Sequence, residues 1–185
     1  QIERDAFEQL KAWKASPHRK PLLLQGARQI GKTWLMREFG KREFEYVAEL
    51  NFDETPELRD LFARTKDTKR LMSELALYVP VPIVPERTLL IFDEIQESEA
   101  ALNSLKYFCE NAPEYAIIAA GSLLGVAVRK KSMTVPVGKV QTMSLYPLTF
   151  REFLRASDPS TFDYIEQNLS LSHLPEIIMS KLTDS

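Results

Sequence analysis

Short, almost wholly apolar strands alternating with amphipathic helices predict an α/β fold, with a mainly parallel sheet covered by helices on both faces. Two observations carry this. The runs Leu22-Leu23-Leu24, Thr88-Leu89-Leu90-Ile91-Phe92 and Tyr115 to Ala120 lack polar alternation, as strands buried on both sides do. The segments between them repeat apolar residues at helical spacing. A third observation is a glycine-bracketed turn directly after the first of these strands.

The elements follow in order. Ile2, Ala6, Phe7, Leu10 and Trp13 predict an opening helix, ended by Ser16-Pro17. Pro21 to Gln25 reads as the first strand, Gly26 and Gly31 bracket a loop, and Lys32 to Phe39 reads as a helix closed by Gly40. Phe44, Tyr46, Ala48 and Leu50 alternate with polar residues, so a second strand is expected there. Helices are expected over about Pro56–Arg64 and Thr68–Tyr78, the second with Leu71, Leu75 and Tyr78 on one face. Pro80, Pro82 and Pro85 then force an extended loop. After the strand ending at Phe92, a helix turns Ala101, Leu102, Leu105, Phe108 and Cys109 inward. Strands at Tyr115 to Ala120 and Val140 to Leu145 follow, and Pro147 to Leu154 reads as a helix entered through a turn. Beyond Ala156 the short helical pieces have no core of their own. Residues 1–156 are therefore expected to be the domain and 157–185 a helical linker.

Composition narrows the function. The 24 basic and 26 acidic residues give a net charge of −2, which excludes a polybasic nucleic-acid binder. A chain of this length buries roughly 70% of its unfolded surface and needs no disulfide or structural metal. Its one cysteine, Cys109, fits a reducing compartment and reads as a core thiol. No run approaches the ~18 apolar residues of a membrane span, and the start lacks a signal-peptide pattern. A cytoplasmic domain is the expectation. It opens on Gln1 and stops after Lys-Leu-Thr-Asp-Ser, as a piece of something longer would.

The chemistry lies in Gly26-Ala27-Arg28-Gln29-Ile30-Gly31-Lys32-Thr33, which fits GxxxxGK(S/T) between a strand and a helix. Glycines let the backbone wrap phosphates closely, and successive N–H groups at a helix N-terminus favour an anion. Lys32 is expected on the β- and γ-phosphates and Thr33 on Mg²⁺. Trp34 extends the nucleotide-binding run, although its indole, like that of Trp13, reads as core. Leu89 to Glu94 has the form of a Walker B strand: Asp93 would hold Mg²⁺, and Glu94 would polarise the attacking water. Between Lys32 and Asp93 there is room for an additional strand, as in P-loop ATPases that use a catalytic glutamate. Ser122, at the tip of the next strand, would touch the γ-phosphate or its water, or else cap the following helix. No Asn-Lys-x-Asp motif reads guanine, so ATP is preferred to GTP.

Four pieces, Lys20–Gln29, Phe92-Asp93-Glu94-Ile95-Gln96, Ala120-Gly121-Ser122 and Tyr146 to Phe153, resemble prokaryotic AAA-superfamily ATPases over residues 1–156. The resemblance implies a P-loop three-layer sandwich with strands 1, 4 and 3 central in a five-stranded sheet, and the sensor role for Ser122. It also implies a C-terminal domain beyond this chain, and in some relatives a nuclease-like one. Members often carry Gly-Arg at the start of the last strand, a candidate arginine finger; here Gly138-Lys139 stands there.

Residues 115–151 contain no acid but carry Arg129, Lys130, Lys131, Lys139 and Arg151. Without interleaved aromatics this reads as a solvated or phosphate-facing charge. One of Arg129, Lys130 or Lys131 could act in trans on a neighbouring subunit of a homo-oligomer. His18 and His173 have no ligand partners nearby in sequence and suggest no zinc site. The leading function is Mg-dependent ATP hydrolysis that drives or switches a partner. The alternatives are a slow nucleotide-dependent switch and, below that, a DNA-associated ATPase.

Overall fold

A computed structural model describes residues 4–26, 31–121 and 134–145. Five strands, β1 (Leu22–Gly26), β2 (Tyr46–Asn51), β3 (Thr88–Asp93), β4 (Ala116–Ala120) and β5 (Gln141–Leu145), form one sheet in the order β2-β3-β4-β1-β5. Every pairing is parallel. The expected central strands are central. The expected helix from Pro147 and the linker from 157 lie outside the described residues.

Successive strand residues point to opposite faces, so each apolar run feeds two cores. Leu23, Leu90, Phe92, Ile117 and Ala119 face α3 (Pro56–Arg64), α4 (Thr68–Leu75) and α5 (Glu99–Asn111). Leu22, Leu24, Leu89, Ile91 and Ile118 face α1 (Arg4–Ala15) and α2 (Lys32–Glu43). The result is a three-layer α/β/α sandwich. Phe52, Phe62, Phe92 and Phe108 meet edge-on at centroid distances of 5.3–6.5 Å and hold the C-terminal end of β3 against α3 and α5. On the other face Trp13 Nε1 donates to the Lys20 carbonyl at 2.7 Å, tying the end of α1 to the entry of β1.

Three sequence expectations need correction. Gly40 does not close α2, which continues to Glu43. It sits where the helix presses on the sheet: a Cβ there would lie 2.6 Å from Val47 Cγ2 and 3.1 Å from Leu89 Cδ2. Cys109 is half-buried rather than in the core, because the inward stripe of α5 is Ala101, Leu102, Leu105 and Phe108. Tyr78 leaves the face of Leu71 and Leu75 and is exposed, since α4 tightens into a 3₁₀ turn at Ala76–Tyr78.

The Gly40 contact gives a first prediction. Gly40→Ala gains ~1 kcal/mol of helix propensity but overpacks a β-branched neighbour. The overpacking is larger, so a net loss of ~1–2 kcal/mol is expected. Urea unfolding should show a lower midpoint at unchanged slope; a midpoint at or above the parent's would contradict the close approach.

Candidate functional site

The site lies at the C-terminal ends of β1, β3 and β4, where ligands bind in open parallel sheets. β1 ends at Gly26, and α2 begins at Lys32 after Gly31, which has φ 75° and ψ 29°. A Cβ on Gly31 would meet nothing within 4 Å, so the left-handed backbone, not lack of space, favours glycine there. Among the described residues no side chain caps the first turn of α2. Its N–H groups and the dipole behind them point at the loop, the arrangement that receives a phosphate. Lys32 is 8% exposed, and its ammonium donates to the Gly26 carbonyl at 2.9 Å and the Gly121 carbonyl at 3.2 Å.

β3 delivers the acids. Asp93 is 5% exposed, and its register partner is Asn51 on β2. The Thr33 hydroxyl donates to Asp93 Oδ2 at 2.9 Å, and the Glu94 N–H donates to Asp93 Oδ1 at 2.9 Å. Glu94 has φ 52° and ψ 44° and enters a 3₁₀ turn at Ile95–Glu97 without a side-chain cap bond, while Ser98 caps α5. A non-glycine residue held in that region stores ~1–3 kcal/mol. Gln96 Nε2 donates to Glu94 Oε2.

Burial dominates the electrostatics of the site. Burial pushes the Lys32 ammonium below its usual range, against the pull of Glu94 and then Asp93. Burial also pushes the Asp93 carboxyl above the usual carboxylate range, although Thr33 and the Glu94 N–H stabilise its anion. For Asp93 the fold thus favours the protonated form. That contribution to stability is present below the usual carboxylate value and is lost as pH rises through the raised one. At neutral pH ionised Asp93 is therefore a net cost to the free protein.

Asp93→Asn should stabilise the nucleotide-free protein, since Oδ1 can still accept from Glu94 and the Thr33 hydroxyl can turn to accept from the new amide. A gain is expected, because the neutral amide escapes the desolvation that penalises the carboxylate. Thermal melts should show it at pH 7, at ~2–4 °C per kcal/mol, with the gap closing on acidification. A variant that melts below its parent at neutral pH would contradict this reading of Asp93.

The structure thus brings Gly26, Gly31, Lys32, Thr33, Asp93 and Glu94 to the same end of the sheet. Ala27, Arg28, Gln29, Ile30 and Ser122 lie outside the described residues, as do Arg129, Lys130, Lys131 and Arg151. Trp34 needs correction: its indole is 47% exposed, edge-on to Phe7 at 6.5 Å, whereas Trp13 is buried. Lys139 precedes β5 at the opposite end of the sheet from Lys32 and pairs with Glu110 at 3.3 Å.

Sequence reasoning missed Gln96, the seat of Gly121 against it, and a paired guanidinium near the site. Arg37, one turn after Thr33, makes two 2.7 Å hydrogen bonds to Glu49, and its charge also feels Asp93. Gln96 stands within the motif Phe92–Gln96, but no spacing rule says that its amide turns back on Glu94.

The parallel sheet, the left-handed glycine before α2 and the nearly buried lysine that follows it are those of a P-loop ATPase fold. Residues 18–154 match the AAA domain family, and the chain belongs to it. No curated protein matches the chain in sequence. Solved structures similar to it include the Walker-type ATPase PABY2304 of Pyrococcus abyssi, with 15% identity, a TM-score of 0.48, and coverage of 89% of this chain and 62% of that one. RuvB of Thermotoga maritima is 18% identical, with a TM-score of 0.48 over 86% of this chain and 50% of that one. PCH-2 of C. elegans is 11% identical, with a TM-score of 0.46 over 89% and 47%. The chain spans less than two thirds of the length of each. No helix among the described residues is long and apolar enough to cross a membrane.

Proposed function

We propose that this domain binds Mg-ATP between β1, β3 and β4 and hydrolyses it to ADP and phosphate, driving or switching a partner. The observation that carries the reading is the Lys32 ammonium, nearly buried on two backbone carbonyls and within the field of Glu94 and Asp93. A lysine desolvated in that way gains from an arriving phosphate, which replaces neutral acceptors with charged ones.

In this reading the amides of residues 27–34, from Ala27 through Arg28, Gln29 and Ile30 to Trp34, surround the phosphates, and Lys32 neutralises them. Thr33 and Asp93 would hold Mg²⁺: their oxygens lie 2.9 Å apart at the mouth of the loop, and buried Asp93 is the anion a cation would relieve. When bound, that ion supplies charge neutralisation along the phosphates. Glu94, beside Asp93, polarises the attacking water, and Ser122 senses the γ-phosphate. Residues 1–156 form the ATPase domain, and 157–185 lead towards a C-terminal domain, in a cytoplasmic protein.

The test is retained nucleotide together with turnover. Mass spectrometry of the denatured supernatant should show ATP or ADP, and phosphate release in excess Mg-ATP should exceed one equivalent per chain. GTP should compete poorly. ADP retained after a single turnover would instead establish a slow switch, and the absence of any adenine nucleotide effect would end the reading.

A further inference from the structure

Gln96 is placed as no surface glutamine would be. Its amide nitrogen donates to Glu94 Oε2, and its amide oxygen is buried with no hydrogen-bond partner among the described residues. The orientation is chemically forced, because a carboxylate can only accept and Nε2 is the donor end. A buried oxygen without a partner is costly, and the bond to Glu94 holds the side chain there against that cost.

Gly121 leaves the room that this placement needs. A Cβ on Gly121 would lie 1.8 Å from Gln96 Oε1 and 2.9 Å from Gln96 Cδ. Gly121 is not among the glycines with positive φ, so its backbone conformation does not call for glycine. The side chain of Gln96 does. The Gly121 carbonyl meanwhile accepts from Lys32 at 3.2 Å. One residue at the tip of β4 thus touches both the phosphate-loop lysine and the amide that holds Glu94.

We infer that Gln96 is a positioning residue for the Glu94 carboxylate, seated where Gly121 leaves it room. The inference rests on the ATPase reading and adds a residue to it. Glu94 begins in a left-handed backbone with a side chain of several rotatable bonds. A short bond from two residues downstream removes that freedom before substrate arrives. Preorganisation of this kind acts on the chemical step more than on binding, because the nucleotide's phosphates are held elsewhere, at the loop and Lys32.

Two opposite perturbations test it in the full chain. Gln96→Met keeps the length of the side chain and removes the donor. Gly121→Ala keeps the donor and pushes it off its seat. Both should lower the single-turnover rate of ATP cleavage on the order of 10- to 100-fold, and in Gln96→Met the ATP dissociation constant should stay within about twofold of the parent. The double variant should be no slower than the slower single.

A melt without nucleotide provides an independent readout. Gly121→Ala should lower the melting temperature in the parent and distinctly less in a Gln96→Ala background, where the amide is gone. Parental cleavage rates in both single variants would overturn the inference, as would equal melting penalties in the two backgrounds. Glu94→Gln run in parallel separates the levels. If it cleaves like the parent, the ATPase reading has lost its base; if it is silent while Gln96→Met is unimpaired, only the positioning role has failed.

Discussion

Glu94→Gln is expected to retain Mg-ATP at least as tightly as the parent while losing hydrolysis by on the order of 10²-fold or more. The substitution preserves shape, and its amide oxygen can still accept from Gln96 Nε2, so the Ile95–Glu97 turn has no reason to move. What it removes is the anion that the proposed mechanism uses to take a proton from water. Asp93→Asn acts elsewhere. It weakens the pair that Asp93 forms with Thr33 as a cation site, so it should reduce Mg-dependent binding along with turnover. The two variants are thus separable by an equilibrium titration with and without Mg²⁺ beside a phosphate-release assay. Glu94→Gln with parental turnover would remove Glu94 from the mechanism.

Lys32→Ala should abolish the stabilisation that nucleotide confers. With ligand at ~100 times its dissociation constant, linkage gives the parent ~2.7 kcal/mol, or roughly 5–10 °C for a chain of this size. Lys32 is the one described side chain whose ammonium reaches both the end of β1 and the tip of β4. Arg37, further along α2, is engaged by Glu49 through two hydrogen bonds. The substitution also strips a donor from two carbonyls, so the free protein's own stability will change. The informative quantity is therefore the difference between melts with and without Mg-ATP. A parental difference in the variant would sink the assignment of the loop.

Much of the fold was legible because its strands are buried on both faces. Leu22 to Leu24, Thr88 to Phe92 and Ala116 to Ala120 have no solvent face to mark with polar residues, and such runs read plainly between amphipathic helices. The loop was legible for a different reason. Backbone wrapping of phosphate needs glycine at fixed spacing and a lysine at the helix start, so residue identity and position carry the chemistry together.

Errors arose where a residue's role depended on what lies across from it. Gly40 has the sequence appearance of a helix terminator, yet Val47 and Leu89 on neighbouring strands explain it. Trp34 looked like core by hydrophobicity, but the turn of α2 that buries Leu35 and Met36 leaves it at the surface. Cys109 follows Phe108 by one residue, and that rotation of about 100° takes it off the inward stripe.

From residue identities alone came the parallel α/β sandwich, the phosphate loop, and the Asp93-Glu94 pair at the end of a buried strand. Those are local facts: periodicity, glycine spacing and the order of elements along the chain. Only the folded chain decided that Lys32 rests on Gly26 and Gly121, that Thr33 meets Asp93, and that Gln96 turns back on Glu94 against a glycine from another strand. These contacts join residues far apart in sequence, or depend on a left-handed turn at a glutamate that propensity does not favour. They form because parallel strand order brings the ends of β1, β3 and β4 side by side, and no pattern confined to one segment encodes that adjacency.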